Sequence, residues 1–550
     1  MGSNSGLDLI RMQVMWNRLL AVVEEQAQVL LRTAFSPIVR ECGDLSAGVF
    51  DLDGRMLAQA VTGTPGHVNS MAESVRQFIH HFPIEEMEEG DIYITNDPWM
   101  GTGHLNDFVL TTPAFHMGRL VGLFSCTSHL TDIGGLGFGP DGRDVFMEGL
   151  YIPMLKLAER GKVNHTLVEM VKANSRLPVE SEGDVYSLAA CNDVGCRRLS
   201  EMMREFDLQD LTGLGNHIIK NSGDAVRAEI AKLPAGKYHY SMTIDGYDHP
   251  VELVATTTIG RDRILVDFDG TSKASRWGIN VPMAYTTAYT CFGLGCVVAS
   301  KIPNNAGSLG GMEVKAPPGS ILNAPKPHAV AIRHVIGQML PDVVFGCLRQ
   351  AVPEMVPAEG TSALWNVNLR GMLGGDEQDN PHFTVTAVTN GGTGARPTKD
   401  GLSATAYPSG VRGTPVEIVE STAPLVVWRK DLRSGSGGPG RQRGGLGQVI
   451  EIESSNGRSF EVMAAFDRID NPARGCAGGQ DGKRGYLGLA SGQRLNGKGV
   501  QEIPAGERLI VKTPGGAGMG DPLERSEDAL ESDLLSGLVT EEQASSVYGR

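Results

Sequence analysis

The chain has 550 residues, of which 41% are hydrophobic and 21% are charged, and its formal net charge is −15. These values are close to those of globular proteins and allow a sizeable buried core in more than one domain. The negative charge, together with the lack of a basic patch interleaved with aromatic residues, argues against nucleic-acid or anionic-membrane binding. The N-terminus lacks a signal peptide pattern, and no apolar run approaches about 18 residues. We therefore expect a cytoplasmic protein.

The first 230 residues mix helical and strand-like patterns. Apolar side chains recur at helical spacing in residues 7–35, and residues 71–82 and 165–231 also favour helices. Two hairpins are predicted between these helices. One turns at Asp53-Gly54, and the other joins FVLTTPAF to LVGLFSCTS through a turn centred on Gly118.

After residue 230 the pattern becomes mainly that of strands. Residues 237–272 predict a three-stranded meander, 280–302 a helix, 449–467 a hairpin, and 526–549 two short helices. Thr540 and Gln543 form a capping-box pattern in this tail. The chain also contains 71 glycines, which indicate many tight turns and close backbone approaches.

These patterns predict an α+β fold, with mixed helical and β-rich parts and antiparallel hairpins. We place a mixed α/β part at residues 1–230 and a β-rich part with Gly-rich loops at 231–525. A C-terminal helical tail at 526–550 completes the expected organisation.

The second predicted hairpin carries a candidate metal site. A turn centred on Gly118 pairs residues whose numbers sum to about 236, so that Asp107 faces His129 and His104 faces Asp132. Residues directly opposed in such a pair have Cβ atoms about 4.5–5.5 Å apart. Two histidines and a carboxylate with open positions suit zinc, manganese or iron(II), and Asp132 could orient a ligand or act as a fourth one. The alternative is a set of polar residues that bond within turns.

A second candidate is the segment GGPGRQRGGLG at 437–447, whose glycines and arginines could hold an anion. It matches neither the P-loop spacing nor a dinucleotide fingerprint, and a Gly-rich turn beside a strand is the simpler interpretation. The sequence contains no ATP-binding motif and no GxSxG or HExxH catalytic motif.

Six separated segments carry a resemblance to a known family. They are TNDPWMGTGHLNDF, SCTSHLTDIGG, FMEGLYIPMLKL, NGGTGARPTKDGLSATAYPSGVRGTPVEIVE, DLRSGSGGPGRQRGGLGQ and TPGGAGMGDPLER, in this order along almost the whole chain. In these segments the chain resembles the hydantoinase B/oxoprolinase family. The family comprises beta-type subunits of ATP-dependent cyclic-amide hydrolases and of ATP-dependent acetone and acetophenone carboxylases.

The resemblance implies a partner, a hydantoinase A type subunit that binds ATP with Mg²⁺, and a heterotetramer is the natural expectation. It also implies metal ligands, because the carboxylase relatives use a His-x-x-Asp pair and a later His. The matching positions here are His104, Asp107 and His129. Asp132 and Glu148 lie in matching motifs, and we consider both as catalytic proton acceptors.

For the activity, we expect hydrolysis of a hydantoin, oxoproline or lactam ring. The partner would phosphorylate the amide carbonyl oxygen, and a metal-bound water would attack the phosphorylated intermediate on this chain. A ketone carboxylase of the acetone or acetophenone type is the alternative. A third hypothesis is a catalytically silent scaffold with a structural metal.

Overall fold

The computed structural model describes residues 4–61, 63–374 and 382–550. Helices and antiparallel sheets share the chain, which confirms the predicted α+β class. Within these ranges, none of the helices combines the length and hydrophobicity that a bilayer-spanning segment needs.

The N-terminal elements form one seven-stranded antiparallel sheet with helices on its faces. The elements are α1 (Asn4–Thr33), α2 (Pro37–Arg40), β1 (Leu45–Phe50), β2 (Met56–Gln59), α3 (Pro65–His81), β3 (Ile92–Thr95), β4 (Asp107–His116), β5 (Arg119–His129), β6 (Leu155–Glu159), β7 (Lys162–Val163), α4 (His165–Asn174), α5 (Pro178–Glu205) and α6 (Thr212–Ile230). The strand order is β2-β1-β5-β4-β3-β6-β7. Both predicted hairpins are confirmed as β1–β2 and β4–β5.

Successive side chains of a strand point to opposite faces of the sheet, and helices cover both faces. Phe108 and Leu110 pack into the core shared with α1 and α5, whereas Val109 and Leu123 pack against α3. Because both faces are covered, nearly every residue of β4 is buried, including the polar Thr111 and Thr112.

The middle of the chain forms a four-stranded sheet under two buried helices. Its elements are β8 (Gly236–Ile244), β9 (Val251–Ile259), β10 (Ile264–Asp267), α7 (Met283–Val298), α8 (Ala306–Leu309), β11 (Met312–Lys315), α9 (His334–Gly337) and α10 (Leu340–Leu348). The order is β11-β10-β9-β8, and only the β10–β11 pair is parallel in this sheet. The predicted meander over 237–272 and the helix within 280–302 are confirmed.

The C-terminal elements form two further antiparallel sheets that share one core. They are β12 (Trp365–Met372), β13 (His382–Thr389), α11 (Val416–Thr422), β14 (Leu425–Leu432), β15 (Gln448–Ser454), β16 (Phe460–Ala465), β17 (Tyr486–Leu489), β18 (Lys498–Ile503), β19 (Arg508–Lys512), α12 (Glu527–Leu535) and α13 (Glu541–Ser546). The sheet orders are β13-β12-β16-β18 and β14-β15-β19-β17. The two tail helices and the capping box at Thr540 agree with the prediction.

The prediction of a hairpin over residues 449–467 is wrong. The turn at Gly457 exists, with a φ of 69°, but β15 and β16 belong to different sheets. β15 pairs with β14 and β19, whereas β16 pairs with β12 and β18. The chain therefore crosses from one sheet to the other at this turn, and local turn chemistry cannot report that choice.

The Gly-rich loops pack backbone against backbone. A Cβ placed on Gly392 would lie 1.9 Å from the Gly445 carbonyl oxygen, and one on Gly444 would lie 1.9 Å from that of Gly516. Gly445 N–H donates to Thr393 O at 2.9 Å, which joins two of these loops. Only glycine permits so close an approach, which accounts for many of the glycines in the sequence.

Candidate metal centre

The strand pairing brings the predicted ligands together. Asp107 begins β4 and stands opposite His129, the last residue of β5, as the turn at Gly118 predicts. His104 lies three residues before β4, in the loop that follows β3. One nitrogen of each histidine and one oxygen of Asp107 lie within 4.8 Å of one another.

The loop that carries His104 is held rigidly by side-chain bonds. Asn96 Nδ2 donates to Leu105 O at 2.7 Å and to Leu150 O at 2.8 Å. Gly103 has a φ of 97°, and a Cβ there would approach Arg333 and Tyr285 to 3.1–3.3 Å. A small residue of free backbone conformation is therefore needed directly before His104.

Each of the two histidines has one buried ring nitrogen that the described residues leave free for a cation. His104 Nε2 lies 2.7 Å from Asp107 Oδ1, yet in the described part of the chain this nitrogen has no partner in hydrogen-bond geometry. His129 Nε2 is likewise buried without a partner there, while its Nδ1 lies 3.2 Å from Asp107 Oδ1. All three residues are at most 3% exposed. Two imidazoles and a carboxylate around one point form a donor set that fits a divalent transition metal.

Neighbouring groups fix the ligands in the required protonation states. His104 Nδ1 lies 2.8 Å from Ala331 O, so this nitrogen carries the proton and Nε2 presents its lone pair. Burial and the charge of Arg333 lower the pKa of His104 to about 3. The imidazole is thus neutral, as a metal ligand must be.

Asp107 is held as an anion by a set of basic groups. Its Oδ2 accepts from Arg333 Nη2 at 2.6 Å and lies 2.9 Å from His67 Nε2. Burial alone would raise the pKa of this carboxyl, but His104, His67 and Arg333 outweigh burial and hold the pKa well below its usual range. His67 in turn faces Asp44 at 3.5 Å. Burial opposes charge on His67, but Asp107 and Asp44 raise its pKa.

Sequence reasoning missed His67 and Arg333. They lie on α3 and directly before α9, far from the hairpin along the chain. Each is a single basic residue without a local motif, so only the packing of α3 and of the 329–334 segment against β4 reveals its role.

The two predicted catalytic carboxyls lie in different surroundings. Asp132 Oδ1 forms an ion pair with Arg176 Nη1 at 2.6 Å, and the strand pairing ends before the expected contact of His104 with Asp132. Glu148 Oε1 accepts from Val330 N–H at 2.6 Å and Ala331 N–H at 2.8 Å. Burial raises the pKa of Glu148 to about 8. Their catalytic roles stay predictions.

The arginines of the 437–447 segment are engaged in ion pairs. Arg443 Nε lies 3.1 Å from Asp533 in α12, and Arg441 Nη1 lies 3.3 Å from Glu524. Arg525 shares Asp533 at 2.6 Å and also binds Asp400. This arrangement favours the simpler interpretation of the segment, a Gly-rich structural loop.

A known protein family and its members match almost the whole chain. The family model of hydantoinase B/oxoprolinase matches residues 8–522. The chain belongs to this family. The putative D-/L-hydantoinase B subunit of Pseudomonas sp. (strain NS671) is 28% identical over 576 residues, which cover 99% of this chain and 95% of the relative.

Two solved structures have the same fold. The crystal structure of the ATP-dependent caprolactamase from Pseudomonas jessenii superposes with a TM-score of 0.89 at 26% identity, covering 98% of this chain and 96% of that one. Nucleotide-free acetone carboxylase superposes with a TM-score of 0.85 at 21% identity, covering 98% and 79%. At this identity the second similarity concerns the fold alone.

Proposed function

We propose that this chain is the beta-type subunit of an ATP-dependent cyclic amide hydrolase that opens a hydantoin, oxoproline or lactam ring. The observation that carries the proposal is the buried centre of His104, Asp107 and His129 in a chain that matches a hydantoinase subunit and a caprolactamase over almost their whole lengths.

His104, Asp107 and His129 would hold a divalent ion, with zinc and manganese as the leading candidates and iron(II) as a third. Such an ion, when bound, polarises a carbonyl or phosphoryl oxygen and lowers the pKa of water. The chain itself keeps Asp107 charged through Arg333, and Ala331 O holds the proton of His104 on Nδ1. Phe138, whose ring lies 4.7 Å from that of His129, would exclude bulk water.

An amide needs activation before water can attack it, because resonance makes its carbonyl a poor electrophile. In the proposed reaction, ATP transfers its γ-phosphoryl group to the amide oxygen, which leaves ADP and an imidate phosphate. Water adds to the carbon to give a tetrahedral adduct, and its C–N bond breaks as the nitrogen takes up a proton, which leaves an acyl phosphate. A second water hydrolyses the acyl phosphate to phosphate and the open-chain amino acid.

Proton transfer in this reaction is assigned to Glu148 in preference to Asp132. Glu148 Oε2 is buried and has no hydrogen-bond partner among the described residues, whereas Asp132 is neutralised by Arg176. With a pKa of about 8, the Glu148 carboxyl is mostly protonated at neutral pH and can supply a proton to the leaving nitrogen.

ATP binding, with Mg²⁺, is assigned to a separate hydantoinase A type subunit. This sequence carries no P-loop or dinucleotide fingerprint, and a relative of similar length is named as one subunit of a hydantoinase. A heterotetramer is our proposed assembly, in the cytoplasm. The division into parts at 1–230, 231–525 and 526–550 is likewise a proposal.

A ketone carboxylase of the acetone type is the second candidate, favoured by the shared fold of acetone carboxylase. The test is to purify this chain with its ATPase partner and measure ADP release with cyclic amides or ketones, with and without bicarbonate. We expect bicarbonate-independent ADP release and an open-chain amino acid. Release that requires bicarbonate and yields a β-keto acid would establish the carboxylase instead.

The role of the metal in ring opening is tested with His104→Ala. This variant should lose bound metal and ring opening together, whereas His116→Ala should keep both. His116 is a buried histidine at the other end of β4, where its Nδ1 lies 2.9 Å from Ser200 Oγ. Full coupled activity in metal-free His104→Ala would reject the proposed role and leave the scaffold hypothesis.

A further inference from the structure

A third buried imidazole, that of His334, lies against Phe138, the ring that also contacts both histidine ligands. His334 begins α9 and is only 3% exposed. Its ring stacks on that of Phe138, with centroids 5.6 Å apart and an interplanar angle of 29°. Its Nε2 is buried and finds no hydrogen-bond partner in the described ranges of the chain.

Phe138 connects His334 to the metal ligands. The centroid of its ring lies 5.7 Å from that of His104 and 4.7 Å from that of His129. One phenyl ring is thus surrounded by three buried imidazoles, each with an Nε2 that lacks a partner among the described residues. A metal ion accounts for His104 and His129, but His334 does not belong to the ligand group.

An unpartnered buried nitrogen needs an explanation, since such a group has lost its hydrogen bonds to water without gaining others. Burial and the neighbouring Arg333 lower the pKa of His334 well below its usual range, so the ring is neutral. A neutral imidazole offers one N–H donor and one nitrogen acceptor, which suits an uncharged polar ligand group.

We propose that His334 contacts the substrate, its Nε2 forming a hydrogen bond with the ring amide group of the cyclic substrate. Phe138 then forms the apolar wall against which the ring methylenes pack. The inference rests on the proposed function and deepens it, because it names the residue that recognises the C–N bond to be broken. The Asn368 side chain holds this wall in place by donating to Phe138 O at 2.8 Å.

The test compares His334→Ala, His334→Gln and the control His116→Ala in the complete complex with the ATPase partner. The glutamine side chain can place an amide group near the position of Nε2, whereas alanine cannot. Three quantities are measured: the bound metal, the dissociation constant of the cyclic amide without ATP by calorimetry, and the open-chain product formed per ADP released.

We expect His334→Ala to keep its metal but to bind the cyclic amide about tenfold more weakly, the loss of one neutral hydrogen bond. Its product per ADP should fall as well. His334→Gln should recover binding to within about threefold of the wild type. The control should match the wild type in all three measurements.

If His334→Ala matches His116→Ala in an active complex, His334 is a core histidine satisfied by water only, and this inference is overturned alone. Loss of metal from both His334 variants would also overturn it, by making His334 a ligand. A wild-type complex that neither binds nor opens any cyclic amide would instead refute the proposed function, and this inference with it.

Discussion

Asp107 is the residue through which the candidate centre is organised. Its Oδ1 faces both histidine ligands, and its Oδ2 contacts Arg333 and His67. Oδ1 is therefore available to a metal ion, whereas Oδ2 binds the supporting groups. Such supporting contacts orient a ligand and tune its charge.

Replacing Arg333 by lysine tests this support at the residue scale. Lysine keeps the positive charge but cannot donate to Asp107 Oδ2 and to Thr102 O with one planar group, as Arg333 does at 2.6 and 3.1 Å. We expect metal affinity to fall about tenfold or more. Competition with a chelating dye, for Zn²⁺ and for Mn²⁺, measures it.

The exposed Arg276, which pairs with Asp248 at 2.8 Å, provides the matched control. Arg276→Lys should leave metal affinity unchanged. Equal affinities for the wild type and Arg333→Lys would mean that Arg333 does not position Asp107.

At the scale of elements, the hairpin depends on the helix packed behind it. Gly195 of α5 lies directly over Phe124 of β5, and a Cβ there would be 2.5 Å from Phe124 Cδ1. Phe124 is completely buried, so it has little room to move. The missing side chain lets α5 approach the strand that ends in His129.

We therefore expect Gly195→Ala to lower the free energy of unfolding by about 1–3 kcal/mol, the usual cost of overpacking a core. Gly213→Ala, in α6, is the matched control, since a Cβ at Gly213 meets nothing within 4 Å. The control should be neutral or stabilising by about 0.5–1 kcal/mol, because alanine favours helices. Denaturation midpoints measure both, and equal midpoints would contradict the packing argument.

At the scale of the whole molecule, a buried polar network connects the middle sheet to the C-terminal sheets. Glu359 binds Arg468 at 3.1 Å and Arg474 at 2.7 Å, and Tyr240 of β8 donates to it at 2.7 Å. Asp342 of α10 lies 3.7 Å from Arg468. Buried groups of this kind stabilise a fold only when each finds its partner.

This network predicts a pH dependence of stability. Burial raises the pKa of Asp342 to about 6, so between pH 4 and pH 6 the folded chain holds a proton that the unfolded chain releases. The contribution of the Asp342 carboxyl to the free energy of unfolding is therefore complete below pH 4 and is lost as the pH rises through 6. We expect the free energy of unfolding of the wild type to fall by on the order of 3 kcal/mol relative to that of Asp342→Asn over this range.

Denaturation midpoints at pH 4 to 7 measure that difference. Asp262→Asn, on the surface of the middle sheet, is the control and should parallel the wild type at each pH. Parallel curves for the wild type and Asp342→Asn would show that Asp342 does not titrate in this range.

The sequence by itself determined most of the local helices and strands and the three residues of the candidate centre, His104, Asp107 and His129. Period-two and helical patterns predicted the β1–β2 and β4–β5 hairpins and the helices. The turn at Gly118 fixed the pairing of Asp107 with His129, because a strand register follows from turn position. Six ordered motifs sufficed to indicate the family.

Only the tertiary structure decided the rest. His67, Arg333 and His334 are brought to the surroundings of the centre by the packing of α3 and α9. Each of their contacts joins residues of different elements, and Arg333 lies 226 positions from Asp107. The sheet change between β15 and β16 likewise depends on which distant strands compete for pairing. Sequence patterns report near neighbours, whereas these contacts are selected by the free energy of the whole packed core.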